Sequence, residues 1–490
     1  MELIHQSRAP KDLLPILAPM ALNAEQAEVI SSIHDFITGD QHDTFILKGY
    51  AGTGKTFLMQ HLATELSEKK SAFAFLATTG RAATVLKGKT GFEARTIHGE
   101  LYQFHEVDGD NKDIPADAAV DAFGQMKLIF NLRAKDDSRK IYIVDEASMV
   151  STESNNEISY AEFGSGNLLE DLLTAVDDNK IIFVGDPCQL PPVGQSSSPA
   201  LDETYLNEIG RKVKSAELQN IVRTKSGNDI LTLAHNIRNM VGAKAAERWV
   251  KLPAGGMNNC IVHANEVELL QKYLDHFSAK GGRDCIAIAQ TNAACHRINE
   301  AVRKHLYNEA NAPLKVGDML MVTQNNYMVP LTNGDFAEVV SIGEECTEAG
   351  LNFLEVKVKH QLTDKEYEIL LSTDVLYGSG TNLDKDQQRN LMISFSHRMR
   401  SKRIGPNSAA YKENMKKDEY LNSLRATYGY AVTCHKSQGG EWDNVFLFLN
   451  KSMYGMPMND MCRWWYTAVT RAKHTLHLGY DWWVSGTTSA

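Results

Sequence analysis

The octapeptide GYAGTGKT, Gly49 to Thr56, follows TFILK, Thr44 to Lys48, and runs into KTFLMQHLATEL, Lys55 to Leu66. The first flank is a short β-type run and the second has helical spacing, so the order is strand, loop, helix. In that setting G-x-x-x-x-G-K-[ST] reads as a phosphate-binding loop. Its glycines let backbone N–H groups turn inward, and the helix N-terminus that follows favours negative charge. Gly49, Ala51, Gly52, Thr53 and Gly54 would cradle the phosphates of a nucleotide, Lys55 would reach the β and γ phosphates, and the Thr56 hydroxyl would ligate magnesium.

Outward from this loop, further apolar runs are short and do not alternate: FAFLAT (Phe73 to Thr78), IYIV (Ile141 to Val144) and IIFVG (Ile181 to Gly185). Such runs suit strands buried on both faces of a parallel sheet. IYIV continues into Asp145 and Glu146, which puts two carboxylates at the edge of the sheet that carries the loop. Asp145 is expected to hold magnesium and Glu146 to polarise the attacking water. The chain is therefore expected to hydrolyse or transfer the γ phosphate of a nucleoside triphosphate.

A second set of runs, CIAIAQ (Cys285 to Gln290), NVFLFL (Asn444 to Leu449) and TLHLGY (Thr475 to Tyr480), predicts a second α/β sheet. Between the two sets, Lys315 to Val340 and the stretch from Leu351 have period two around an Asn-Gly-Asp turn, a small antiparallel β module. The pattern also breaks between Gly99 and Lys140, read as a small hairpin insertion. Near the C-terminus, Met461, Trp464, Trp465, Ala468 and Val469 keep helical spacing, with Asn459 and Asp460 as N-caps. Arg471 would then complement the dipole of that helix.

Composition bounds the partners. The 490 residues carry a net charge of −10, which argues against coating nucleic acid by bulk charge but leaves room for a basic groove. Gln388 to Lys417 is such a candidate, with Arg398, Arg400, Lys402 and Arg403 among eight cations against the single acid Glu413. A solvated charged face explains a basic run equally well. The seven cysteines show no zinc spacing and read as reduced thiols. No run of 18 apolar residues occurs, so a soluble, cytoplasmic protein without membrane contact is expected.

The ordered motifs resemble those of superfamily 1B DNA helicases, the RecD-like and phage Dda-like branch, from Leu22 onward. That resemblance implies two RecA-like P-loop NTPase domains: 1–98 with 141–223, and 224–312 with 427–490. It also implies a pin at 99–140, with Phe104 or Phe123 as wedge, and an SH3-like β-barrel with a basic arm at 313–426. By the same likeness LNAEQAEVI makes Gln26 an adenine reader, although alone it reads as a surface glutamine. Thr79 in LATTGRAATVL, Thr96 and His98 in ARTIHGEL, and Thr291 and Asn292 in AQTNAACHRINEAVR fall on DNA-contact motifs. Thr78 stands where the family usually has proline, and Thr96 reads equally as a helix cap.

Gln189 in GDPCQLPPVG resembles the γ-phosphate sensor. YAVTCHKSQGGEWDNVFL resembles the motif that meets both ligands. Thr433, His435, Lys436 and Ser437 would touch DNA, and Gly439 and Glu441 the nucleotide side. In YTAVTRA the family's arginine crosses the cleft, which would make Arg471 an arginine finger with Arg223 as companion. The resemblance implies an ATP- and Mg2+-dependent monomer moving 5′-to-3′ on single-stranded DNA and at single-strand/duplex junctions. A P-loop kinase, a nonenzymatic nucleic-acid-binding regulator with a degenerate ATPase and an RNA-directed helicase remain the alternatives; no catalytic position is missing, which counts against the second.

Overall fold

In the computed structural model the described residues are 21–108, 127–134, 138–153, 161–222, 228–241, 251–309, 312–326, 328–406, 408–480 and 482–485. The molecule is built on two parallel sheets. The first has six strands in the order Ala94–Thr96, Phe73–Ala77, Ile141–Asp145, Lys180–Gly185, Thr44–Gly49 and Val213–Leu218. The second has five, in the order Cys260–His263, Ala472–Gly479, Trp442–Leu447, Cys285–Ala289 and Ala431–Thr433.

The first sheet shows why unbroken apolar runs form its centre. Successive side chains on a strand point to opposite faces. Phe45, Leu47, Phe75, Ile143, Ile182 and Val184 enter one core, under the helices Ala24–Thr38 and Lys55–Glu68. Ile46, Leu76, Val144, Ile181 and Phe183 enter the other, against the helix Leu168–Val176. Both faces are dry, so neither set of positions tolerates a polar residue.

The expected hairpin is present as Tyr102–Asp108 paired antiparallel with Lys127–Leu132. A third strand, Ala161–Phe163, joins it from beyond residue 140, the end expected for the insertion. Of the two expected wedges, Phe123 and the side chain of Phe104 lie outside the described residues. The β module is a five-stranded antiparallel sheet in the order Glu366–Ser372, Leu351–His360, Phe336–Glu348, Met319–Val322 and Ala426–Tyr428. Its basic arm folds as two helices, Lys385–Ser401 and Ala409–Lys417, packed through Met392, Phe395, Met399, Tyr411 and Met415.

One helix boundary differs from expectation. The helix Met458–Val469 is capped by Pro457, so Asn459 and Asp460 sit in its first turn instead of preceding it. Proline presets the extended entry to the helix, with no side-chain cap hydrogen bond. Among the described residues no helix is long and apolar enough to cross a membrane.

Candidate functional site

The strand Thr44–Gly49 delivers the chain to the glycine-rich loop, and the helix starts at Lys55 behind Gly54. Gly52 and Gly54 have φ of +79° and +85°, a region that glycine enters without strain. A Cβ on Gly49 would stand 2.8 Å from Lys55 Cγ, so the bare backbone there lets the lysine lie along the loop. Lys55 Nζ donates to the carbonyls of Gly49 at 2.6 Å and Tyr50 at 3.1 Å.

Gln26 differs from a surface glutamine. It is 1% exposed, Nε2 donates to the Thr53 carbonyl at 3.2 Å, and Oε1 accepts from the Asn23 amide at 3.2 Å. A Cβ on Gly54 would meet that amide at 2.6 Å, so the glycine makes room for it. The loop and the first helix are thereby joined.

Two strands beside the loop end in acids. Burial and the neighbouring Glu146 raise the Asp145 carboxyl, and Lys55 draws it down. Burial also raises Asp186, against the pull of Lys55 and of a hydrogen bond from Tyr466. Glu146 sits at φ 52°, a left-handed conformation that costs a non-glycine residue roughly 1 kcal/mol or more. Asp145 and Asp186 both feel the charge of Lys55, and carboxylate oxygens together with a hydroxyl such as that of Thr56 are the donors a hard divalent cation takes.

The second sheet closes over this site through the helix Met458–Val469. The Tyr466 hydroxyl accepts from the Ala51 amide at 2.9 Å and donates to Asp186 Oδ2 at 2.7 Å. Thr467 Oγ1 accepts from the Leu190 amide at 2.9 Å, and Gln438 Nε2 donates to the Leu190 carbonyl at 3.1 Å. Gln189, beside that contact, is 5% exposed, and its Oε1 has no hydrogen-bond partner among the described residues. Sequence reading passed over Tyr466 and Asp186. Their only signal was position within YTAVTR and GDPCQ, since the Tyr466 to Ala51 contact spans 415 residues.

Arg471 lies two residues past the helix end and is 4% exposed. Nε donates to the Thr467 carbonyl at 2.9 Å, Nη1 to the Gly440 carbonyl at 3.2 Å, and Nη2 to Thr470 Oγ1 at 3.2 Å. It therefore does bond a last-turn carbonyl, and it also ties the helix to the Gly439–Gly440 turn. Arg223 lies outside the described residues.

Three of the four expected DNA-contact threonines are helix caps. Thr79, Thr96 and Thr291 accept from the amides of Ala82, Gly99 and Ala294 at 3.2, 3.0 and 3.1 Å. Each thus stands at a helix N-terminus, where orphan N–H groups favour phosphate, and Asn292 opens the third helix. Thr78 in place of proline lies 3.5 Å from Met149 Sδ. Thr433 accepts from the Lys436 amide at 3.4 Å, and Ser437 donates to the Cys434 carbonyl at 2.7 Å. Burial lowers the pKa of His435 and of Lys436.

Arg81, also unforeseen, is 3% exposed and lies between Phe336 at 4.8 Å and Trp442 at 4.6 Å. This slot joins the helix Gly80–Thr90 to the second sheet and to the β module. Gly439 packs on Ala82 and Glu441 pairs with Lys89 at 3.1 Å, so both sit on that same helix.

In the basic arm the fold sets one member apart. Arg398 is half-buried and pairs with Asp418 at 2.7 Å and Glu348 at 3.3 Å, acids that lie outside Gln388 to Lys417. Its charge is spent inside the protein, whereas Arg400, Lys402 and Arg403 are exposed.

Residues 21–251 match the family described as an AAA domain, and residues 428–478 match a UvrD-like helicase C-terminal domain. A protein of Acanthamoeba polyphaga mimivirus is 23% identical over 520 residues, covering 93% of this chain and 99% of its own. The ATP-dependent RecD2 DNA helicase of Deinococcus radiodurans is 23% identical over 465 residues, covering 94% of this chain and 49% of its own. The RecD subunit of the RecBCD enzyme of Mycolicibacterium smegmatis is 26% identical over 372 residues, covering 65% and 60%. The chain thus spans nearly the whole viral protein and about half of RecD2. The structure of a Bacteroides Pif1 helicase with ADP-AlF3 and ssDNA covers 95% of both chains at 16% identity, with a TM-score of 0.49. With an AAA-domain match on the first sheet, a UvrD-like helicase C-terminal match on the second and RecD relatives at 23–26% identity, the chain is similar to superfamily 1B helicases of the RecD-like kind.

Proposed function

We propose that this protein hydrolyses ATP to move 5′-to-3′ along single-stranded DNA and to open the duplex ahead of it, acting as a monomer. The observation that carries this reading is the Tyr466 hydroxyl, which bonds the phosphate loop and Asp186 from the opposite sheet. A nucleotide cleft bridged in this way links turnover to the relative position of the two domains.

In this reading the domains are 1–98 with 141–223 and 224–312 with 427–490, with a pin at 99–140 and an SH3-like barrel and arm at 313–426. Lys55 and the loop amides orient the ATP phosphates, and Gln26 supports the loop beside the base. Magnesium, held by Thr56 and Asp145, would neutralise developing phosphate charge. Glu146 positions and deprotonates the attacking water, and Gln189 senses the γ phosphate. Arg471 and Arg223 face the transferring phosphate when the cleft closes. Thr79, Thr96, His98, Thr291, Asn292, Thr433, His435, Lys436 and Ser437 grip the strand without reading its sequence.

A strand-displacement assay on 5′-tailed, 3′-tailed and RNA-tailed duplexes tests the proposal. Displacement confined to 5′ DNA tails is expected, with ATP turnover stimulated by single-stranded DNA. Displacement from 3′ tails alone would overturn the polarity, preference for RNA tails the substrate, and turnover indifferent to nucleic acid the motor itself.

A further inference from the structure

The helix Glu266–Lys280 covers one face of the second sheet through the buried Leu269, Tyr273, Leu274 and Phe277. Tyr273 and His276 both lie against Phe446 of that sheet, with ring centroids 4.9 and 5.8 Å away. At His276 the apolar layer gives way to a cluster of three different donors. The His276 nitrogen, the Asp284 carboxylate and the Cys285 sulfur all lie within 4.8 Å of one another. Helix, turn and strand each supply one of them.

The cluster is braced. His276 Nε2 is 3.2 Å from both Asp284 oxygens, and Asn444, on the neighbouring strand, donates from Nδ2 to Asp284 Oδ2 at 3.4 Å. The Asn444 amide donates to the Asp284 carbonyl at 2.9 Å. Cys285 opens the strand Cys285–Ala289, and its thiol donates to the Gly281 carbonyl at 3.7 Å. A histidine–carboxylate pair beside a core thiol accounts for these contacts one at a time, but the donor set as a whole has a more specific chemistry.

One imidazole nitrogen, one carboxylate oxygen and one sulfur suit a borderline-soft cation such as Zn2+, whereas Mg2+ and Ca2+ take oxygen alone. Tetrahedral zinc sets its nitrogen and oxygen ligands ~3.3 Å apart and each ~3.6 Å from sulfur. The 3.2 Å between His276 and Asp284 already has that spacing, and the sulfur has to close by only about 1 Å. Binding releases the thiol proton to solvent, after which carboxylate and thiolate balance the two charges of the ion. Cys285 is 1% exposed, which shuts out a substrate, while the side chains of His276 and Asp284 are 16% and 27% exposed and give an ion a way in. Two of the three ligands are adjacent in sequence, so no paired-cysteine spacing announces them.

We propose that His276, Asp284 and Cys285 bind one Zn2+-type cation, with water as the fourth ligand, and that this ion pins the end of the helix Glu266–Lys280 to the start of the strand Cys285–Ala289. The site is separate from the nucleotide cleft and independent of the motor reading. The strand it anchors leads directly to Thr291 and Asn292, so the ion fixes the base of the element that carries them.

The test is titration of the full chain, stripped of metal by a chelator, with Co2+ and then with Zn2+. One Co2+ per chain should give a thiolate-to-cobalt charge-transfer absorption, which an oxygen site at the nucleotide cleft cannot produce, and one Zn2+ per chain should abolish it. Saturating Zn2+ should also raise the melting temperature by several degrees. In Cys285→Ser the absorption should vanish. Zn2+ affinity should fall roughly a hundredfold or more in His276→Asn and roughly tenfold or more in Asn444→Ala, which removes only the brace. Absence of the absorption at saturating Co2+ overturns the site. An absorption that survives in Cys285→Ser, or a Zn2+ affinity unchanged in His276→Asn, overturns the ligand set. The wild-type titration decides even if a variant fails to fold, and none of these outcomes touches the translocase reading, which strand displacement tests.

Discussion

Tyr466→Phe removes a single oxygen and leaves the ring, so its consequences can be worked out from two contacts. That oxygen donates to the carboxylate of Asp186, which is 0% exposed, and accepts from the Ala51 amide. A hydrogen bond to a charged group contributes about 1.5–3 kcal/mol and a neutral one about 0.5–1.5 kcal/mol. After the substitution the described partner of Asp186 is the Cys188 amide, at 3.0 Å. If the seated position of the Met458–Val469 helix is the one that hydrolyses ATP, losing even the Asp186 bond lowers turnover roughly tenfold. Losing both bonds, about 2–4.5 kcal/mol together, lowers it by about thirtyfold to two-thousandfold. The Tyr466 bond also favours ionised Asp186, so its loss moves that carboxyl further up and shifts the acid limb of the pH–rate profile to higher pH. Single-turnover and steady-state ATP hydrolysis, with and without single-stranded DNA, measure the effect. Turnover within twofold of wild type, in a variant that melts normally, would refute the link between this hydroxyl and catalysis.

Lys55→Ala should weaken ATP binding and abolish turnover, while Glu146→Gln should abolish turnover yet keep nucleotide and DNA binding; wild-type hydrolysis by Glu146→Gln would remove it as the base. Neutralising Arg400, Lys402 and Arg403 together should weaken single-strand binding and flatten its salt dependence by up to about 2 in log–log slope, at roughly 0.7 per phosphate contact, an unchanged slope returning the arm to a solvated face. Arg398→Gln should instead lower the melting temperature, because it leaves Asp418 and Glu348 without their cation. Arg471→Lys keeps the charge but not the planar fork. As a finger it should lose roughly a thousandfold or more in turnover with ATP still bound, whereas near-normal turnover with reduced melting temperature would leave it a helix clamp.

The sequence was most legible where one physical requirement dominates. Strands buried on both faces must be apolar at every position, so TFILK, IYIVD and IIFVG announced themselves. Val213–Leu218 did not, because it is an edge strand whose alternating residues are partly wet. Ala94–Thr96 and Cys260–His263 are too short to show a period. The phosphate loop was legible because its chemistry is local to eight residues. The ion pairs of Arg398 were not legible because the acids come from another strand and from beyond the arm. Gln26 looked like a surface residue because nothing in its helix shows that Gly54, which faces it, lacks a side chain.

The contacts that sequence could not show are also the ones that bear on coupling. The helix Gly80–Thr90 begins at Thr79 and carries Arg81, whose guanidinium is held by aromatic rings of the second sheet and the β module. A Cβ on Gly80 would stand 1.4 Å from Thr332 Oγ1, and one on Gly439 would stand 3.0 Å from Ala82. Glycine backbones packed this closely on side chains leave little room for slippage, so a displacement of the second sheet would carry the helix with it or break the slot. On the other side of the cleft, Tyr466, Thr467 and Gln438 fix the same sheet to the phosphate loop and the Leu190 segment. Under the proposed function, a change in how the loop amides are used would be transmitted through this sheet to the N-terminus at Thr79. No separate relay is required, because Gly439, Gly440 and Gln438 are consecutive in the chain and touch both sides. Under the proposed function this makes the strand grip at Thr79 and the state of the nucleotide two readings of a single packing arrangement.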